Sequence, residues 1–293
     1  VKRLKLQMRQ DPKTQNTILE IATGKIMGRI KDGTYSFKGI PFGETPTGKK
    51  RWRRAMPPTS WTGIKETFTY CDRAPQINRA RRKANAWIRD SGPKSEDCLC
   101  LNIYTTSVAG KKPVMVYLHG GGFRYGSGGA AGLDGGNLSK GGNVVVVTLN
   151  HRLNIFGFAN FSDLGGQDFS DAINLGMLDI VDALKWIKDN IKTFGGDANN
   201  VTIFGQSGGG CKVAALMAMP CARGLFHKAI MQSSSAHLRL ATAENTCRVT
   251  NNVIRQLDVK DMQTLQALPW ETVFNAYLAA VKLNGGNDCF RPA

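Results

Sequence analysis

The period of the apolar positions changes along the chain, and each change marks an element. Residues 20–62 mix short strand-like runs with turn sequences such as KDG and TPTG. Residues 63–95 are polar and basic and follow no regular period. Three apolar runs come next: LCLNIY at 99–104, PVMVYL at 113–118 and NVVVVTL at 143–149. They are short and rich in β-branched residues, which predicts strands. The last is apolar throughout, which predicts burial on both faces. From Leu175 to Ile191 the period is helical, because Met177, Val181, Leu184, Ile187 and Ile191 fall on one face. Asn174 stands at the N-cap position, and Gly195-Gly196 follows the end. Strand VTIF at 201–204 runs into a serine turn. A helix over about 208–219, stopped by Pro220, and strand KAIMQ at 228–232 complete the alternation. Residues 243–282 read as mainly helical. Alternating strand and helix predicts an α/β protein with a mostly parallel central sheet covered on both faces.

Composition narrows the class. The chain has 293 residues and 42% are apolar, enough for a sizeable core and too many for a disordered chain. No apolar run approaches the length that crosses a bilayer. The first residues, VKRLKLQMRQDPK, are basic with no apolar stretch behind them, so they do not form an intact signal peptide. The compartment stays open. The formal charge is 39 − 22 = +17, clustered in the first thirteen residues, in KKRWRR at 49–54 and in RARRK at 79–83. Such clusters can bind nucleic acid or anionic membrane, but no nucleic-acid motif accompanies them, and a solvated basic face is the favoured reading. The seven cysteines include no CxxC pair, which argues against zinc or redox chemistry. Cys98 and Cys100 lie two apart on an expected strand and would share a face, which does not suit a bond between them. A Cys71–Cys98 disulfide is an option in an oxidising compartment. Free buried thiols are the preferred reading.

Two glycine-rich turns carry the candidate chemistry. GQSGG at 205–209 fits G-x-S-x-G. A strand that turns abruptly into a helix leaves the serine at a cramped position with its Oγ exposed, and glycines give the neighbouring backbone room. The N–H of Gly208 heads the next helix and can point at a carbonyl oxygen under attack, where the helix dipole adds positive charge. The second turn is LHGGGF at 118–123, directly after PVMVYL. Three glycines leave N–H groups unshielded, which suits an oxyanion hole. Either turn alone is as readily a flexible loop. Together, in order, on separate strand ends, they predict nucleophilic catalysis.

These residues sit within longer segments: FKGIPFGETPTGKKRW, SEDCLCLNIY, PVMVYLHGGGF, VVVVTLNHRLNIFGF, NLGMLDIVDALKWIKDNIKTFGGDANNVTIFGQSGGG and GLFHKAIMQSS. They run in order across about residues 37–235. With them the chain resembles the type-B carboxylesterase family, the group of cholinesterases and bacterial para-nitrobenzyl esterases. GQSGGG and NHRL resemble the bacterial branch. The resemblance implies an α/β-hydrolase fold, with Ser207 as nucleophile and the N–H groups of Gly121, Gly122 and Gly208 as oxyanion hole. It implies structural ion pairs Arg51–Glu96 and Arg152–Asp179. It implies a small-molecule ester substrate and a scheme that needs no metal or organic cofactor. The chain would be one domain: an N-terminal segment 1–95, a sheet core 96–235 and a helical region 236–293.

The base is harder to place. In this fold the order along the chain is serine, acid, histidine. Of four histidines, His119 and His151 precede Ser207, and His227 matches a packing position of the family. His237 is the remaining downstream candidate, and a weak one. The acids after Ser207 are Glu244, Asp258, Asp261, Glu271 and Asp288, and none lies in a segment like the family's acid. The expectation is an N-terminal part of a longer enzyme, holding the nucleophile and oxyanion hole without the acid and histidine. Its sheet would then end on an unfinished edge. Trp87 lies in basic surroundings, which argues against a choline ester and for packing or a gorge wall. Trp52 and Trp61 match structural positions, and the methionines of LMAMP read as core. The alternatives are a catalytically silent binding protein on this fold, as among adhesion proteins such as neuroligins, and a basic nucleic-acid-binding protein.

Overall fold

A computed structural model describes residues 14–78, 88, 90–234, 240–286 and 289–293. The first thirteen residues, the RARRK run, Trp87, His237 and Asp288 lie outside the described residues.

The chain begins with a meander. Strand β1 (Thr14–Ile21) pairs antiparallel with β2 (Gly24–Lys31) in full register from Thr14↔Lys31 to Ile21↔Gly24. The KDG turn leads into β3 (Thr34–Pro41), with Asp32 at φ 49° and Gly33 at φ 74°. Positive φ at both central residues is the geometry of a tight hairpin turn whose twist matches its strands. Short β4 (Ile64–Glu66) lies parallel to β2.

The sheet then builds inward. Strands β5 (Cys100–Thr105), β6 (Lys112–Leu118), β7 (Val145–Leu149), β8 (Gly196–Gln206) and β9 (Lys228–Gln232) complete nine strands in the order β1-β2-β3-β5-β7-β6-β8-β9, with β4 beside β2. The half that carries the serine, β7-β6-β8-β9, is parallel as the alternation predicts. Apart from β4, the N-terminal half is antiparallel through β5·β7, so the sheet as a whole is mixed. Two-residue turns can join only antiparallel neighbours, whereas parallel strands need long crossovers. The KDG turn carried that information for β2 and β3.

The helices are α1 (Gly136–Gly142), α2 (Asn154–Phe158), α3 (Ser162–Gly165), α4 (Leu175–Asn190), α5 (Gly208–Ala218), α6 (Ala243–Leu257), α7 (Met262–Ala267) and α8 (Trp270–Leu283). Helix α4 buries Met177, Val181, Leu184 and Ile187, the face its period predicts. Asn174 stands at its N-cap but does not cap it. Its amide instead accepts from the Ala293 N–H at 3.1 Å and donates to the Ala293 carbonyl at 3.3 Å. In α5, Met217 is 60% exposed rather than in the core, while Met219 packs partly buried. Among the described residues no helix is long and apolar enough to cross a membrane.

The basic run is largely used internally. Arg51 makes a bidentate pair with Glu96, Nε–Oε1 and Nη2–Oε2 both 2.6 Å, and also donates to the Leu268 carbonyl. Lys50 pairs with Glu44, Arg53 with Asp168 and Arg54 with Asp182. Arg152 grips Asp179 through Nε and Nη2, at 2.9 and 2.5 Å. Both ion pairs implied by the resemblance are therefore present and buried. Trp52 Nε1 donates to the Ile155 carbonyl and Trp61 Nε1 to the Lys25 carbonyl, which are structural roles.

The cysteine expectation is corrected. The preferred reading of free buried thiols fails for Cys71 and Cys100, which are bonded to each other, and the Cys71–Cys98 option fails with it, since Cys98 is a buried free thiol. The Cys98 N–H donates to the Glu96 carbonyl and the Cys100 N–H to the Cys98 carbonyl. The backbone turns there, so strand alternation starts only at Cys100 and does not set the direction of Cys98.

Candidate active site

Ser207 joins β8 to α5 with φ 57° and ψ −122°, a backbone conformation that is costly for any residue with a side chain. Packing holds it there. The Ser207 N–H donates to the Gln232 carbonyl of β9 at 2.8 Å, and its carbonyl accepts from the Cys211 N–H at 3.1 Å. The glycines around it are sterically required. A Cβ on Gly209 would lie 2.0 Å from the Leu118 oxygen at the end of β6, and one on Gly205 would lie 2.5 Å from the Gly209 carbonyl carbon. Gly208, Gly209 and Gly210 are buried, yet Ser207 itself is exposed. The elbow lifts one hydroxyl out of a packed turn.

The glycine loop after β6 meets this elbow. Gly121 and Gly122 take φ 97° and 64°. The backbones of Gly122 and Gly208 approach so closely that a Cβ on Gly208 would lie 2.3 Å from the Gly122 nitrogen. A Cβ on Gly120 would lie 3.7 Å from the Ser207 Cβ. Gly208 is the first residue of α5, so its N–H has no partner within the helix. The structure thus brings together Ser207, Gly122 and Gly208, with Gly121 next in the same turn.

Below the loop lies a buried basic cluster that the motifs do not reveal. His119 and His151 stack with ring centroids 4.9 Å apart. His119 Nδ1 donates to the Gly120 carbonyl at 2.9 Å and His151 Nδ1 to the Arg152 carbonyl at 2.7 Å. Neither Nε2 has a hydrogen-bond partner among the described residues. Burial, reinforced by the charge of Lys212, holds both imidazoles well below their ordinary pKa. Lys212, fully buried on α5, donates from Nζ to the His119 carbonyl at 2.7 Å. Burial pulls its pKa down to about 7. One signal was available in CKVAALMA: a lysine inside an otherwise apolar helix.

The other candidates are placed elsewhere. His227 Nδ1 accepts from the Val201 N–H at 3.1 Å, so it ties β8 to the start of β9. Glu244 and Glu271 lie in the first turns of α6 and α8. Asp258 ends α6 and pairs with Lys260, and Asp261 caps α7 through the Thr264 N–H at 2.7 Å. Among the described residues no histidine or carboxylate hydrogen-bonds to Ser207 Oγ, and no group of three or more His, Cys, Asp or Glu could hold a metal ion. A cavity of about 680 Å³ opens beside the disulfide, between Glu44, Trp61 and Asp97, and none of the serine-turn residues lines it.

A strained serine between a parallel strand and a helix, faced by a glycine loop from the neighbouring strand, is the arrangement of an α/β-hydrolase. The chain matches the Carboxylesterase family over residues 15–286, and it belongs to that family. It is 36% identical over 265 residues to phenmedipham hydrolase of Pseudarthrobacter oxydans, covering 90% of this chain and 52% of that protein. It is 39% identical over 241 residues to para-nitrobenzyl esterase of Bacillus subtilis (strain 168), covering 82% of this chain and 48% of the relative. Carboxylesterase EST55 of Geobacillus stearothermophilus superposes with a TM-score of 0.85 at 36% identity, over 94% of this chain and 55% of that one. The chain spans about half the length of these relatives.

Proposed function

We propose that Ser207 is the nucleophile of a carboxylic ester hydrolase. Its Oγ attacks the ester carbonyl, the N–H groups of Gly121, Gly122 and Gly208 hold the oxyanion, and alcohol leaves. Water then releases the acid from the acyl-enzyme. The observation that carries this reading is the exposed hydroxyl on a strained elbow whose helix N-terminus packs against the glycine loop. Preorganised donors of this kind stabilise developing charge, at about 3–4 kcal/mol for one oxyanion donor. The hydroxyl also needs a base. Among the described residues none reaches it, so the acid and base are assigned outside them, with His237 the first candidate in this sequence. Membership of the family, with relatives named as esterases and hydrolases, supports the reaction class. The internal pairing of the KKRWRR run argues against nucleic acid as the partner.

The test is hydrolysis of a short-chain p-nitrophenyl ester beside Ser207→Ala and His237→Ala. Loss of a complete triad costs about 10⁶ in turnover and leaves about 10³ over water from the oxyanion hole and binding. Residual turnover of this 293-residue chain is therefore expected to be low and, with no base in reach of Ser207 among the described residues, to change little in Ser207→Ala or in His237→Ala. Ordinary enzyme rates lost in His237→Ala would make His237 the base. Ordinary enzyme rates that persist in Ser207→Ala would overturn the assignment.

A further inference from the structure

We propose that Lys212 is a positioning residue for the oxyanion hole, gripping the Gly120-Gly121-Gly122 turn from below at both of its ends. The inference rests on the ester-hydrolase reading above and adds a residue that reading does not use. At one end of the turn, Lys212 Nζ donates to the carbonyl of His119, the residue before the glycines, at 2.7 Å. At the other end, Nζ lies 5.8 Å from the ring centroid of Phe123, the residue after them. That is within the range of a cation–π contact. Three consecutive glycines have no side chains to hold their own conformation, and two of them sit at positive φ. Something outside the turn must fix it if its N–H groups are to meet an oxyanion without reorganising. Lys212 is suited to that task because it belongs to α5, the helix that follows Ser207 directly. One side chain thus couples the strand end that supplies the nucleophile to the strand end that supplies the hole.

The lysine is costly where it stands. It is fully buried, and among the described residues no carboxylate pairs with it. The titratable groups around it are His119 from the end of β6, His151 from beyond β7 and Cys211 on its own helix. Both histidines stay neutral in the range where the lysine titrates, so a protonation step near pH 7 at the His119 carbonyl belongs to Lys212. A residue kept only for stability would not be an unpaired buried ammonium.

The chain offers a clean probe. His119-Gly120 is its one His-Gly pair. Protein carrying carbonyl-¹³C histidine and ¹⁵N glycine therefore shows a single peak in an HNCO spectrum. In the unaltered protein the His119 carbonyl shift is expected to titrate with a midpoint near 7. In Lys212→Met that step disappears, and the ¹⁵N-glycine amide peaks of Gly120, Gly121 and Gly122 move while those of Gly28 and Gly33 stay. Unmoved glycine peaks in folded Lys212→Met overturn the proposal. If Lys212→Met does not fold, Lys212→Gln, which keeps an N–H donor on a shorter stem, is read by the same glycine peaks, and unmoved peaks in it overturn the proposal. Where Ser207-dependent turnover is measurable, Lys212→Met lowers kcat about tenfold with KM within about twofold, a fraction of the roughly 10²–10³ one oxyanion donor can carry. An unchanged kcat overturns the proposal. The spectra can also be recorded on Ser207→Ala protein, so the ester reading and the lysine can fail separately.

Discussion

Two regions of this molecule bury cations, and they do so in opposite ways. In the scaffold, Arg152 and Asp179 are 3% and 0% exposed at their side chains, and Arg51 and Glu96 are 6% and 5% exposed. Each arginine meets a carboxylate through two nitrogens and spends a further N–H on a backbone carbonyl, Arg53 for Arg152 and Leu268 for Arg51. Beneath the glycine loop, Lys212 is as deeply buried with one carbonyl and one ring. The first arrangement satisfies the charge. The second leaves it nearly bare, next to the candidate oxyanion hole. Where a fold tolerates an unpaired buried charge, the reason is to be sought in the site it serves.

The contrast breaks most visibly at the scaffold. Asp179→Asn strands Arg152 in the interior and is expected to cost about 3–5 kcal/mol, read by urea unfolding. A loss below about 1 kcal/mol would mean that the guanidinium finds other partners. Lys212→Met should have the opposite sign. The lysine's pKa falls from 10.5 in the unfolded chain to about 7 in the fold. Between those values the unfolded chain holds a proton that the native state has released, so stability rises with pH across that window. Below about 7 the native state carries the whole penalty. Methionine removes it, so Lys212→Met is expected to stabilise by a few kcal/mol at pH 6, with the gain fading towards pH 10.5 at roughly 1.4 kcal/mol for each step of one in pH. Destabilisation at pH 6 would show that its two contacts outweigh its burial. The smallest effect belongs to the surface. Arg53 and Asp168 pair at 3.4 Å with side chains 44% and 76% exposed. Asp168→Asn should therefore change the unfolding free energy by less than about 0.5 kcal/mol in the same urea titration.

Much of this was legible in the chain itself. The apolar runs at 99–104, 113–118 and 143–149 became strands because alternation and β-branching act locally. The period of α4 picked out the face that the core covers. Other features depend on partners distant in the chain. Asn174 has a cap residue's identity, yet its amide is taken by Ala293, 119 residues away. The KDG turn was visible, but the antiparallel junction of β3 with β5 and of β5 with β7 followed only from pairing. Strand β9 is as apolar at Ile230 and Met231 as an inner strand, yet these residues are 42% and 50% exposed, because no described strand lies beyond it.

The order of strand, glycine turn, serine and helix belongs to the sequence alone, because each piece is set by local sterics: glycine where backbones touch, a serine where the chain must bend sharply. The resemblance carried by those segments also named the two ion pairs in advance. Tertiary structure decided the rest. It set which end of β6 faces the elbow, which cysteine Cys71 meets, and where the helix's one lysine points. Burial and pairing are properties of neighbours, and neighbours 93 residues apart, such as Lys212 and His119, meet only once the sheet has brought their strands side by side.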